Sequence, residues 1–301
     1  MSNNINVNIK IYWVRHGFSC ANYLYENYYL TKSVIDKSIL APDAKLTNIT
    51  LNKICEMKNK KATDYYRNIL NSDFILCSEL TRAIETAMML FGTFNKTIYI
   101  VPYIGEEVQT SGLDNSDNIP SDKHIKQQNI TNIIDFHNEN ADTCNGMFNS
   151  NVSFDILDNL INDQKTEPDF NNFLKYVIPY LITKYNKKQI INNTLNLTLT
   201  LVSHSKFIDK TTQIYPNNLE IILQYINTKY SIIDNNYHLN NMSHCTHLNN
   251  TYFNFLNKKL NKHGAINYSI TEYGIIDYKN IDTTQDLNRC DYKIHQNKIL
   301  N

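Results

Sequence analysis

The chain has 301 residues, carries 29 basic and 29 acidic side chains for a formal net charge of zero, and is 42% hydrophobic. That length suits one large domain able to bury a sizeable core, and the charge balance leaves no electrostatic footprint for nucleic acid or an anionic membrane. The apolar content excludes a disordered chain, and no apolar run approaches the roughly 18 residues that a membrane-spanning helix needs.

In chain order, the polar start "MSNNINVN" predicts no signal peptide and a cytoplasmic protein. "NIKIYWV" (8 to 14) predicts a short strand, and "CANYLYENYYL" a helix after it. "LTNITLNKICEMKNKKATDYYRNIL" has apolar residues at helical spacing behind Thr47, a plausible N-cap. "DFILCS" (73 to 78) predicts a buried strand, "ELTRAIETAMMLF" a strong helix and "KTIYIVPYI" (96 to 104) a strand. From about 108 to 169 the chain is polar, rich in asparagine and weakly periodic, which predicts a helical or irregular insertion. "FLKYVIPYLITKY" (173 to 185) predicts a helix, "LNLTLTLVS" (195 to 203) a strand, 210 to 262 an irregular excursion, partly helical, and "AINYSITEYGII" a further strand. Residues 279 to 301 are expected to form a surface tail or edge element. Alternating strands and helices predict a three-layer α/β/α sandwich with a mostly parallel central sheet, as one domain whose core spans about 8–107 and 170–278.

The six cysteines, at 20, 55, 77, 144, 245 and 290, form no CxxC pair and predict reduced, mostly buried thiols. Arginine is rare: Arg15, Arg67, Arg82 and Arg289 are the full set, against many lysines. Composition otherwise follows AT-rich coding drift, so arginine at two strand ends points to a need for the guanidinium fork itself.

In an open parallel sheet, ligands bind beyond the carboxyl ends of the strands. There the chain places Arg15-His16-Gly17, then Ser78 to Arg82, then Glu106 and Glu107 after Pro102, then Ser203-His204-Ser205. Two arginines, two histidines and an acid thus converge on one rim. Guanidinium forks match a phosphate's oxygens, a neutral imidazole can attack phosphorus, and a carboxyl group can protonate a leaving alkoxide.

With those residues in view, the sequence resembles the histidine phosphatase superfamily, phosphoglycerate mutase-like proteins included. "VRHGFSCAN" matches its RHG signature through Arg15, His16 and Gly17, with Ser19 and Asn22 following; "PDAKLTNIT" matches through Asp43, Leu46 and Thr47. "SELTRAIETA" resembles its next motif through Ser78, Leu80, Arg82, Ala83, Thr86 and Ala87, "VPYIGEE" aligns Glu106, and "LVSHS" aligns His204. Phe18, Thr50 and Ser205 depart from the pattern, which commonly has an acid or glutamine, a glycine and a glycine there.

The resemblance implies a phosphohistidine at His16, Arg15 and Arg82 as phosphate clamps, and His204 as stabiliser of the transition state. It further implies Glu106 as proton donor, with Glu107 as the alternative, Asn22 and Ser78 assisting phosphate binding, and no cofactor or required metal. The expected function is a metal-independent phosphomonoesterase acting on a small-molecule or peptide phosphate ester, with no nucleic acid or membrane partner. The alternatives are mutase-type phosphoryl transfer and a non-catalytic phosphate-binding scaffold. A second cluster, His238, His244, Cys245 and His247, fits no standard zinc spacing and reads as solvated loop residues.

Overall fold

The computed structural model describes residues 3–22, 43–59, 68–107, 119–161, 167–186, 188–216, 218–233, 236–243, 259–260 and 266–268. Its elements run β1 (Asn3–Arg15), α1 (Asn48–Asn59), β2 (Phe74–Ser78), α2 (Thr81–Phe91), β3 (Thr97–Val101), α3 (Lys123–Glu139) and β4 (Asn151–Ser153). There follow α4 (Asp155–Leu160), α5 (Phe170–Asn172), a π-helical turn (Phe173–Val177), α6 (Ile178–Tyr185), β5 (Thr194–Ser203) and α7 (Ser205–Thr212). The last four are β6 (Ile221–Ile233), β7 (Asn236–Ser243), β8 (Lys259–Leu260) and β9 (Ile266–Tyr268).

Among the described residues the sheet has order β4-β3-β2-β5-β1-β6-β9-β8, with β7 on the far part of β6. The first five strands in that order run parallel, and β6 runs antiparallel to β1. Side-chain alternation sends Ile5, Val7, Ile9, Ile11 and Trp13 to one face, against the π-turn, α6 and α7. Tyr12 and Val14 go to the other face, with the apolar sides of α1, α2 and α3. Helices on both faces of the sheet make the three-layer α/β/α sandwich. Trp13 anchors the first layer: it packs on Phe170 and Phe207 and donates its indole N–H to Gln224 at 2.8 Å.

Predicted strands and helices recur with small shifts in their ends. Thr47 caps α1, its hydroxyl accepting from the Thr50 amide at 3.4 Å. The helix predicted over 173 to 185 opens as a π-turn, because Pro179 brings no N–H and interrupts the α ladder. The predicted helix after Cys20 lies outside the described residues beyond 22, as do residues 279 to 301 and, apart from Ile266–Tyr268, the last predicted strand.

Two expectations are corrected. The stretch from 210, read as irregular, contains β6, a 13-residue strand mostly buried between β1 and its other neighbours. Its polar residues hid the period: Gln224, Thr228 and Ser231 are buried but hydrogen-bonded, Thr228 to the Val7 carbonyl and Ser231 to Asn240. The cysteines are not all thiols. Cys55 on α1 is disulfide-bonded to Cys144 beyond α3, across 89 residues, Cys20 is disulfide-bonded as well, and Cys77 is free and buried. No local spacing announces such a pair; packing of α3 beside α1 brings it together.

Where described, the segment from 108 to 169 holds α3, α4 and the short strand β4, and joins the body. α3 buries Ile133 against α2, and β4 extends the sheet alongside β3. Beside the disulfide, Lys58 Nζ lies 2.9 Å from His137 Nε2, both buried; burial lowers the lysine to about 7 and the histidine to about 4. Among the described residues, no helix is long and apolar enough to cross a membrane.

Asp43 holds the loop that leads into α1. Its carboxylate accepts from the amide and hydroxyl of Thr81 at the start of α2, and from the amide and hydroxyl of Ser121 ahead of α3. Asp43→Ala strands four donors, two of them in the α2 first turn, and is expected to cost about 2–4 kcal/mol, read as a fall in the urea midpoint. A non-reduced peptide map is expected to contain Cys55 joined to Cys144; by the chain-entropy argument, reduction then destabilises by on the order of 4 kcal/mol.

Candidate active site

Strand register sets the site. Arg15 on β1 pairs with Ser203 on β5, Cys77 on β2 with Val202, and Ser78 with Val101 on β3, so four strands end at one level. The chain continues from each end into a turn, and those turns carry Arg15 to Gly17, Ser78 to Arg82, Glu106 and His204. Ser203 Oγ donates to the Ile104 carbonyl at 2.8 Å and ties the Glu106 turn to the β5 end.

Close packing shapes the first turn. A Cβ on Gly17 would lie 2.3 Å from Thr50 Cγ2, so only glycine fits there without moving α1. The Gly17 amide donates to Thr86 Oγ1 on α2 at 2.9 Å, and the Phe18 carbonyl accepts from the hydroxyls of Thr47 and Thr50. Thr50 thus uses the space next to Gly17 and bonds the turn. Phe18 is buried at 1% exposure and sits within the protein rather than on a substrate-facing wall.

His16 and His204 meet with ring centroids 5.0 Å apart, at 2% and 0% exposure. His16 Nδ1 lies 2.7 Å from the Gly17 carbonyl, which makes Nδ1 the protonated nitrogen and leaves a lone pair on Nε2. Arg82 Nε donates to that Nε2 at 3.3 Å. His204 Nε2 and Ser78 Oγ are 2.9 Å apart, while His204 Nδ1 is buried with no hydrogen-bond partner among the described residues.

Burial first, then the Arg82 and Arg15 charges, hold His16 well below the ordinary imidazole value of 6.5; its bond to Gly17 opposes this. Burial, Arg82, the His16 ring and Arg15 push His204 down in the same way. Glu106 moves up: burial outweighs Arg82, Arg15, the Glu107 amide that donates to it at 3.2 Å, and Lys206. Both imidazoles are therefore shifted toward their neutral form and the carboxyl group toward its protonated form.

The remaining sequence-predicted residues are placed as follows. Arg15 donates from Nη1 to the Pro216 carbonyl at 2.9 Å and lies over the Tyr215 ring. Asn22 Oδ1 accepts from the Ser19 amide and hydroxyl and from Asn218, which also donates to the His16 carbonyl at 3.0 Å. Asn22 thereby braces the His16 turn, and Ser78 orients His204. Glu107 pairs with Lys210 at 2.6 Å, which leaves Glu106 as the acid beside the histidines. Sequence reasoning missed Asn218, Tyr215 and Pro216, because they lie in the stretch that matched no motif. Thr86 was visible in "SELTRAIETA", though not its bond to Gly17.

One ligand atom each from His16, Glu106 and His204 lie within 4.8 Å of one another, a set that could hold a metal ion. Two guanidinium charges acting on the same imidazoles oppose a dication there and favour an anion. A tetrahedral oxyanion would offer His204 Nδ1 an acceptor and both forks a counter-charge. Of the second cluster, His238 is an exposed residue of β7, and His244, Cys245 and His247 lie outside the described residues.

No protein-family model matches the sequence, and no curated protein matches it. Among solved structures, the chain is similar to the phosphoserine phosphatase of Entamoeba histolytica, solved as a mutant with phosphoserine and also with 3-phosphoglyceric acid. The identity is 15% and the TM-score 0.31, over 78% of this chain and 96% of that one. It is also similar to the ecdysone phosphate phosphatase of Bombix mori solved with tungstate, at 9% identity and TM-score 0.37, over 77% of this chain and 92% of that one.

The lowered imidazole values have a stability consequence. Unfolded, both histidines take up protons near 6.5; folded, they resist until lower pH, so their contribution is intact above 6.5 and is lost as pH falls toward their folded values. NMR titration is expected to find both rings neutral at pH 6, and the urea midpoint to drop between pH 7 and 5. A midpoint insensitive to this window in a folded protein would contradict the assignment.

Proposed function

We propose that the protein is a metal-independent phosphomonoesterase that works through a phosphohistidine on His16. The observation that carries this reading is the buried His16 ring, held by its Nδ1 bond to the Gly17 carbonyl, with Arg82 on Nε2 and with His204 and Glu106 close by.

In the first step Nε2 of His16 bonds to phosphorus as the ester P–O bond breaks, and the leaving oxygen takes the Glu106 proton. Arg15 and Arg82 hold the phosphoryl oxygens, and His204 Nδ1–H, with Nε2 accepting from Ser78, donates to one of them as charge shifts in the transition state. In the second step the Glu106 carboxylate takes a proton from water, the water oxygen bonds to phosphorus, and the P–N bond breaks. Inorganic phosphate leaves, and both His16 and Glu106 return to their starting states. The raised Glu106 value suits both roles, since the group must carry a proton in one step and accept it in the next.

Rapid acid-free quenching with a 32P-labelled ester is expected to trap label on His16, and His16→Ala to carry none. Glu106→Gln is expected to lower kcat by about 10²- to 10⁴-fold for an alkyl phosphate and far less for p-nitrophenyl phosphate, whose leaving group needs no proton. Phosphate esters that bind while no histidine is ever labelled would favour the scaffold alternative.

A further inference from the structure

The peptide unit joining His16 to Gly17 is followed by a glycine, whose own backbone offers little resistance to rotation of that unit. The ring follows the unit, because His16 Nδ1 bonds to the Gly17 carbonyl and so depends on the backbone on both sides of it. Two side chains from distant elements hold the unit, one at each end. Thr86 Oγ1 on α2 accepts from the Gly17 amide at 2.9 Å, and Asn218 Nδ2 donates to the His16 carbonyl at 3.0 Å.

The turn that presents Asn218, between α7 and β6, is strained. Leu219, the next residue, is buried with φ of 62°, in the left-handed region that a bulky side chain rarely occupies. Contacts with the nucleophile's own segment offset that strain. The Leu219 amide donates to the Arg15 carbonyl and the Glu220 carbonyl accepts from the Arg15 amide, both at 3.1 Å. The Leu219 side chain packs on Gly17, 3.5 Å from where a Cβ would stand. Asn218 Nδ2 also lies 3.4 Å from Asn22 Oδ1, the acceptor for the Ser19 amide and hydroxyl. A backbone outlier that persists beside a reactive group points to a task for the turn, and here it aims one carboxamide at the segment from His16 to Asn22.

We infer that Asn218 is a positioning residue for the nucleophile: its carboxamide keeps the His16-Gly17 peptide in the orientation that aims His16 Nε2 at a phosphoryl group. This rests on the phosphohistidine reading of His16. Asn218 acts through the backbone. Without its carboxamide the His16 carbonyl loses this donor, the unit rotates, and a smaller share of molecules presents Nε2 in line with phosphorus, where a misplacement of about 1 Å costs on the order of 10²-fold in rate. Anion binding is spared, because Arg15 is held by the β1 ladder and the Pro216 carbonyl and Arg82 by α2.

The test compares full-length native protein with Asn218→Ala and Asn218→Asp. The aspartate keeps the shape of the side chain but, ionised at neutral pH, has no N–H to donate, so it reports on the bond even where the alanine variant folds poorly. Single-turnover quenching with 32P-labelled p-nitrophenyl phosphate, whose leaving group needs no proton, reads the rate of His16 labelling. Calorimetry reads the affinity for inorganic phosphate. Both variants are expected to label His16 about 10- to 100-fold more slowly, with phosphate affinity within about threefold of native. A merely structural role would leave the labelling rate of a folded variant unchanged. Labelling within about threefold of native in a folded variant overturns the inference, as does a loss of phosphate affinity as large as the loss of rate. Either result leaves the esterase reading intact, since native protein still takes up label. Absence of label on native protein overturns that reading and the inference with it.

Discussion

The parallel pairing of β1 with β5 is the constraint on which the site depends. Ten consecutive positions are in register, from Asn6 opposite Thr194 to Arg15 opposite Ser203. The His16 amide continues the ladder by donating to the Ser203 carbonyl at 2.9 Å. A slip of one residue would send every side chain of β1 to the opposite face. Trp13 would leave the layer it shares with Phe170 and Phe207, and His16 would part from His204. The apolar alternation of β1 therefore protects the geometry of the rim as well as the core.

At the rim itself, burial and positive charge act in the same direction on the histidines and in opposite directions on the acid. Arg82 and Arg15 depress both imidazoles and partly counter the upward push of burial on Glu106. The charges that would favour an anion at this rim thus also favour the neutral form of His16. The supporting contacts are hydrogen bonds from other elements: Thr86 to Gly17, Asn218 to the His16 carbonyl, Ser78 to His204, and Asp43 to the start of α2. Each of these fixes a backbone turn or a ring.

Much of this was legible in the chain. β1, β2, β3 and β5 are short apolar runs followed by chemically unusual residues, and the parallel-sheet rule alone gathers those residues at one end. β6 was not legible, because its inward face mixes Ile222, Ile226 and Tyr230 with Gln224 and Thr228, whose polarity is satisfied only by partners such as Trp13 and Val7. A buried glutamine looks like a surface residue until its partner, more than two hundred positions away, is in place. Likewise Thr50 read as a departure from a glycine, yet it fills the space beside Gly17 and bonds the Phe18 carbonyl.

What the amino-acid sequence determined unaided is the main strands and which chemically unusual residues follow them, since residue type, strand period and the residue after each strand are local properties. The tertiary structure alone decided which atoms face one another. The bond from Arg82 to His16, the nearness of Glu106 to the two histidines and the Cys55–Cys144 bond all depend on distances between segments far apart in the chain. Such distances follow from how layers pack, and packing is a property of the whole molecule that no window of residues contains.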